Sequence, residues 1–180
     1  MGKLEQLVQP LLGQICWQAR WDHQLGLDLN FGQPRLLIRQ PYPTKSAARS
    51  VQAAAARRLA TVRGTFWLWA LVGRWRITLP DNRQATASSS VWTKDVICKH
   101  FEGERVKSVQ VDARSGRTRI SFDLGSTLDL WRIPSAHREE IWSLYAPRGW
   151  VLTVRGDGTY SYGRGSAKDK WKPIPRLGAT

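Results

Sequence analysis

Between Asp28 and Asp81 the chain carries no acidic residue. The same interval holds Arg35, Arg39, Lys45, Arg49, Arg57, Arg58, Arg63, Arg74 and Arg76. A one-signed stretch cannot neutralise itself, and it speaks about partners rather than fold. Cysteine is equally scarce, with Cys16 and Cys98 alone. That excludes a disulfide framework. One bridge stays open, and two buried free thiols in a cytoplasmic protein fit better. No run of about 20 apolar residues exists, so no helix is expected to span a membrane. The opening MGKLEQLVQPLLGQ lacks a signal-peptide apolar core, and Gln6 breaks the myristoylation pattern.

Catalytic signatures are missing too. There is no G-x-x-x-x-G-K-S/T, no G-x-G-x-x-G between a strand and a helix, and no G-x-S-x-G. Cys98 and His100 stand two apart and would share a face of a strand. Two ligands fall short of a zinc site, and only Cys16, His23 and His137 could complete one. Nucleases gather carboxylates and a lysine around a divalent ion. Asp112, Asp123 and Asp129 are the carboxylates to weigh, and Glu104 with Lys107 gives E-x-x-K. Asp112 and Asp123 fall in expected turns, where aspartate bonds local backbone. The chain reads as a non-enzyme, with no cofactor and no metal.

What the chain does have is positive charge and tryptophan. Its 180 residues carry 28 Lys and Arg against 14 Asp and Glu, a net charge of +14. Nucleic acid is the first partner this implies, and an acidic protein the next. The ten tryptophans run through the whole chain and are expected to do much of the packing. In WLWALVGRWR, Trp67, Trp69 and Trp75 are read as core.

The sequence also repeats itself. LGQICWQARWDHQLGLDLNFGQPRLLIRQP lies against EGERVKSVQVDARSGRTRISFDLGSTLDLWRIP. Each has a glycine corner (Gly13, Gly103), a strand, a polar turn, and an alternating strand ending in phenylalanine (Phe31, Phe122). Each then has a glycine turn and a further strand, LLI against LDLW. Downstream, LWALVGRWRITLPDNRQA matches LYAPRGWVLTVRGDGTYS, with Trp69 against Tyr145, Gly73 against Gly149 and Trp75 against Trp150. The expectation is one domain over 1–163, made of repeats at about 11–88 and 101–163, with a basic tail over 164–180. The fold class is mainly β: two pseudo-symmetric repeats in a sandwich or partly open barrel. Ser88 to Ser90 reads as a loop between them.

The halves differ at TKSAARSVQAAAARRLATVRG, an insert over about 44–64. The pattern predicts a helix over about 46–62, capped by Thr44 or Ser46 and ended by Gly64. Ala48, Val51, Ala55, Leu59 and Val62 would form its apolar stripe, with Lys45, Arg49, Arg57 and Arg63 opposite. In the second repeat SAHREEIWSL predicts a short helix near 136–144.

The repeated unit resembles that of small uncharacterised bacterial β-rich proteins with L-x-G, then L-x-L-x-F-G-x-x-x-L-x-I, then W-x-L. Its carriers are Leu12, Gly13, Leu27, Leu29, Phe31, Leu36 and Ile38, and Gly103, Ile120, Phe122, Gly125, Leu128, Leu130, Trp142 and Leu144. That group includes suspected immunity or defence-associated proteins, and the resemblance implies no catalytic residue.

The expected function is non-enzymatic binding of DNA or RNA through its backbone, as an accessory subunit of a bacterial defence or mobile-element complex. Lys45, Arg49, Arg57, Arg58 and Arg63 would contact phosphates. Arg74, Arg76, Lys168, Lys170 and Lys172 would extend the track, and Trp171 would stack on a base or dock on a partner. The alternative is an adaptor or immunity protein whose basic face meets an acidic partner.

Overall fold

The computed structural model describes residues 3–22, 26–70, 74–135, 138–165 and 167–175. Alternation sets the strands. In LDLNF, Leu27, Leu29 and Phe31 turn to the core, and in TRISF Thr118, Ile120 and Phe122 do. The chain is mainly β. Its strands are β1 (Cys16–Asp22), β2 (Gly26–Phe31), β3 (Arg35–Arg39), β4 (Leu59–Arg63), β5 (Phe66–Ala70), β6 (Arg74–Thr78) and β7 (Gln84–Thr86). They continue as β8 (Val106–Val111), β9 (Thr118–Phe122), β10 (Thr127–Trp131), β11 (Glu140–Ala146), β12 (Trp150–Arg155), β13 (Thr159–Arg164) and β14 (Lys172–Pro173).

A seven-stranded antiparallel sheet runs β1-β2-β5-β11-β12-β13-β14, and a five-stranded one runs β7-β6-β10-β9-β8. One hydrophobic cluster joins them. Leu27, Leu29, Phe31 and Leu68 come from the larger sheet, and Trp75, Ile77, Ile120 and Leu128 from the smaller. The helices are α1 (Lys3–Val8), α2 (Arg49–Ala55) and α3 (Val91–Phe101). The loop expected at Ser88–Ser90 leads straight into α3. The Ser90 hydroxyl accepts from the Thr93 N–H at 3.1 Å, an N-cap. Ile97, Cys98 and Phe101 then face the core. Lys94 is buried too, with its ammonium 3.2 Å from the centre of the Trp21 ring.

Each sheet draws on both halves of the chain. Strands β1-β2-β5 of the first half continue into β11-β12-β13 of the second, and β8-β9-β10 of the second continue into β6-β7 of the first. The halves meet through reciprocal backbone bonds. The Gly13 N–H donates to Val106 O at 2.8 Å, and Gly103 donates to Cys16 O at 2.7 Å. Cys16 donates to Glu104 O at 2.9 Å, and Val106 donates to Gln14 O at 3.0 Å. Both glycines have positive φ, 75° and 99°. Both ladders also slip at the matching place, between Cys16 and Gln18 and between Val106 and Ser108.

This register corrects the alignment read from sequence. By strand position the mate of Trp75 is Trp142, not Trp150, and these are the two tryptophans that reach the core. The mate of β10 is β5, not β3. Everything from residue 33 to residue 63 therefore occupies the turn that the second half closes with Asp123–Gly125. Within it, α2 covers only Arg49–Ala55 of the helix expected over 46–62. Leu59–Arg63 is strand, paired with β3. Thr61 and Val62 are β-branched, and the ladder offers their backbone groups partners that a fraying helix end would lack. The N-cap is Ala48, without a side-chain bond, so neither Thr44 nor Ser46 fills that role. Of the helix expected near 136–144, residues 136 and 137 lie outside the described residues. Glu140–Ala146 is strand, held between β5 and β12. The tail is docked in part, since Ile174 is buried and its N–H donates to Gly158 O at 2.9 Å.

Candidate nucleic-acid interface

Strands β3 and β4 with α2 form an arm. All of β3 is exposed, and Ala55, the arm's buried residue, lies outside the core cluster. Pairing sets the faces. Leu36 and Ile38 share one with Val62 and Ala60, while Arg35, Leu37 and Arg39 share the other with Arg63, Thr61 and Leu59. The apolar face is open to solvent, with Leu36, Ile38 and Val62 at 63%, 53% and 48% exposure. Lys45, Arg49, Arg57 and Arg58 are exposed around the tip. Arg58 donates to Gln40 Oε1 at 2.9 Å, and Arg39 donates to Ala54 O at 2.6 Å, closing the end of α2.

Arg63 is not at the tip. It bonds Asp28 at 2.7 Å, and its guanidinium lies 4.1 Å from the centre of the Trp67 ring, so it roots the arm on the larger sheet. Gly64 follows. A Cβ there would sit 2.4 Å from Phe31 O, so close backbone approach, not helix termination, requires glycine. Trp67 and Trp69 are half-buried on the outer face of the same sheet, and Trp67 stacks on Tyr145 at 4.3 Å. Of the three tryptophans read as core, only Trp75 is there.

Arg74 and Arg76 belong to a second cationic surface, the outer face of the five-stranded sheet. Asp129 on β10 stands between Arg76 on β6 and Arg119 on β9. Trp131, two residues on, faces the same way and pairs with Arg74. Arg117, two residues before Arg119, completes a frame of four arginines around one carboxylate and one indole. Arg119 Nε and Nη2 reach the Asp129 oxygens at 2.8 and 3.0 Å. Arg76 and Arg117 stop at 3.5 and 3.8 Å. Burial pushes the Asp129 carboxyl up, but hydrogen bonds and charge from Arg119, then the charges of Arg117 and Arg76, outweigh it and hold it below its ordinary value. Arg117, Arg119 and Trp131 escaped the sequence reading. The signal was there, as R-x-R on each flanking strand (RWRIT and RTRISF) and D-L-W between them.

The tail group sits elsewhere. Lys168 and Lys170 are exposed, and Lys172 lies on the edge strand β14, beyond β11, β12 and β13 from the arm's root. Trp171 is half-buried, with the Arg155 guanidinium 3.3 Å from its ring centre, so an internal cation already covers one face. Arg176 lies outside the described residues. The expected single track is thus three surfaces: arm, sheet face and sheet edge.

The carboxylates do not converge. Asp112 accepts from Ser115 and Arg114, Asp123 accepts from the Arg105 N–H, and Glu104 is buried against Ser126. Cys98 and His100 lie on helix α3, where residues two apart face different ways; Cys98 is buried and His100 exposed. His23 and His137 fall outside the described residues, and among the described ones no three potential ligands group for a metal. No described helix is long and apolar enough to cross a membrane. No family model, no curated protein and no solved structure matches the chain.

Proposed function

We propose that the protein binds nucleic acid through the phosphate backbone, without catalysis and largely without regard to sequence. The arm carries this reading. From Arg35 to Arg63 it has seven basic residues (Arg35, Arg39, Lys45, Arg49, Arg57, Arg58, Arg63) and no acidic one. A two-stranded ribbon also has the width to enter a duplex groove. The arginine frame around Trp131 is a second surface, where an indole can stack on a base between phosphate contacts. The setting we propose, an accessory subunit of a bacterial defence or mobile-element complex in the cytoplasm, rests on the sequence resemblance alone.

The test is anisotropy with labelled duplex DNA, single-stranded DNA and RNA across a salt series. Affinity should fall steeply with salt. Lys45→Gln, Arg49→Gln and Arg57→Gln together should flatten the log–log slope by about 0.7–0.9 per lost phosphate contact. An affinity unchanged between about 50 and 200 mM salt would rule the reading out.

One observation favours the second reading, an acidic protein partner. Leu36, Ile38 and Val62 form an open aliphatic face. Aliphatic groups offer nothing to phosphate oxygens, and such faces mark protein interfaces. A second copy is a poor occupant, because it would bring two arms of unbalanced positive charge together. Leu36→Gln with Ile38→Thr should leave nucleic-acid affinity unchanged and abolish stoichiometric co-purification of the acidic partner. A matching loss of nucleic-acid affinity puts this face on nucleic acid instead.

A further inference from the structure

The outer face of the five-stranded sheet does more than present charge. Beside Trp131 it opens into a cavity of about 300 Å³, lined by Arg76, Ser115, Arg117, Trp131, Arg132 and Pro134. We infer that this cavity binds a phosphomonoester dianion, either the terminal phosphate of a nucleic-acid strand or the phosphate of a free nucleotide. The strand-end source rests on the nucleic-acid reading, and the free-nucleotide source does not.

The hydrogen bonds decide the chemistry. Asp129 is 2% exposed, and both its oxygens are taken by Arg119 at 2.8 and 3.0 Å. Arg76 and Arg117 stand at 3.5 and 3.8 Å, near enough to feel the carboxylate and too far for good hydrogen bonds. Their donors are therefore not used up by it. Arg76 Nε is buried and has no hydrogen-bond partner among the described residues. Guanidinium groups with unspent donors on one cavity wall suit the several oxygens of a phosphate.

Charge narrows the class further. Arg76, Arg117 and Arg132 line the cavity, and the carboxylate nearest to them, Asp129, is already paired with Arg119. An internal phosphodiester brings one negative charge, whereas a phosphomonoester brings close to two. The surplus matches the dianion better. Asp129 is buried and does not line the cavity, so it orients Arg76 and Arg117 without facing the anion. The Trp131 ring on the cavity wall gives the attached base a surface to stack on. Binding makes and breaks no covalent bond.

The test uses the full chain and two oligonucleotides of one sequence, one with a terminal phosphate and one without. A nucleoside monophosphate serves as competitor. The phosphorylated strand should bind about tenfold tighter, the worth of a good charge-assisted hydrogen bond. Arg117→Gln with Arg132→Gln should erase that difference, and the plain strand, still held by the arm, should weaken less than the phosphorylated one. Competition by the monophosphate at the same site assigns the pocket to free nucleotides as well. A preference for the phosphorylated strand without such competition confines it to strand ends. Equal affinity for the two strands, with no monophosphate binding, overturns the pocket and leaves backbone binding standing. Monophosphate binding without oligonucleotide binding keeps the pocket and overturns the nucleic-acid reading.

Discussion

Arg119 holds Asp129 by two hydrogen bonds, 2.8 Å from Nε and 3.0 Å from Nη2, across adjacent strands of the five-stranded sheet. This is the fork geometry that lets arginine grip a carboxylate in one orientation. Asp129→Asn removes the charge and turns an amide N–H toward guanidinium donors. Folding stability should drop by about 1–2 kcal/mol in urea titrations. Affinity for phosphomonoesters should rise in the same variant, because the neighbouring arginines lose their counter-charge. A fall in both would mean that the frame needs Asp129 to hold its shape.

Acid should expose the same pair. Asp129 titrates below its ordinary value of 3.8, so the stability it contributes is complete above that value. It is lost as pH falls through the folded value. Wild type should thus lose more stability than Asp129→Asn as pH falls below about 4, and the gap between them should narrow. Asp112, held by Ser115, and Asp81, held by Arg83, shift in the same direction, so both proteins keep an acid limb. Parallel curves would show that Asp129 is not what the acid reaches.

Deleting residues 33–63 should leave the fold intact. The deletion places Gly32, Gly64 and Thr65 between Phe31 and Phe66, which face each other in the β2–β5 ladder. The second half spans its own Phe122 to Ser126 with Asp123, Leu124 and Gly125, the same length. A single cooperative thermal transition within a few degrees of wild type is expected, with salt-dependent nucleic-acid binding strongly weakened. Loss of the transition would make the arm part of the folding unit.

Two glycines should respond differently to alanine. At Gly64 a Cβ meets Phe31 O at 2.4 Å and Phe31 N at 2.6 Å, backbone atoms that cannot step aside. Gly64→Ala should cost about 1–3 kcal/mol and loosen the arm's root. At Gly13 nothing lies within 4 Å, so Gly13→Ala should cost only the strain of its positive φ, about 1 kcal/mol. Urea midpoints rank the two.

The thiols should be silent in the native protein. Both cysteines are free and buried. Burial pushes Cys98 up to about 12 and moves Cys16 in the same direction. A thiol reagent at about pH 8 should therefore label neither until denaturant is added, and then both. Rapid labelling of Cys98 alone would show that α3 lifts from the core.

The strands of this protein were readable wherever one face is buried. The alternation in LDLNF and TRISF put one face inside, with Leu29 and Ile120 on it, and the glycine corners marked where each repeat begins. What stayed hidden was set by distant partners. Glu140–Ala146 contains good helix formers, yet pairing on both sides with β5 and β12 makes it a strand. No glycine or proline separates Leu59–Arg63 from the alanine-rich helix, and only β3 decides its state. Helix α3 carries a lysine on its buried face, which blurs the apolar stripe until Trp21 is seen to cover it. The arginine frame is split among three strands, so spacing along the chain could not assemble it.

The exchange of strands between halves also governs how the chain can be made. As the N-terminal half leaves the ribosome, β5 lacks its neighbour β11, and β6 lacks β10. Neither sheet can join its two parts until β10 and β11, both strands of the second half, have been synthesised. Separately expressed halves should therefore be insoluble alone and rescue each other only when produced in the same cell.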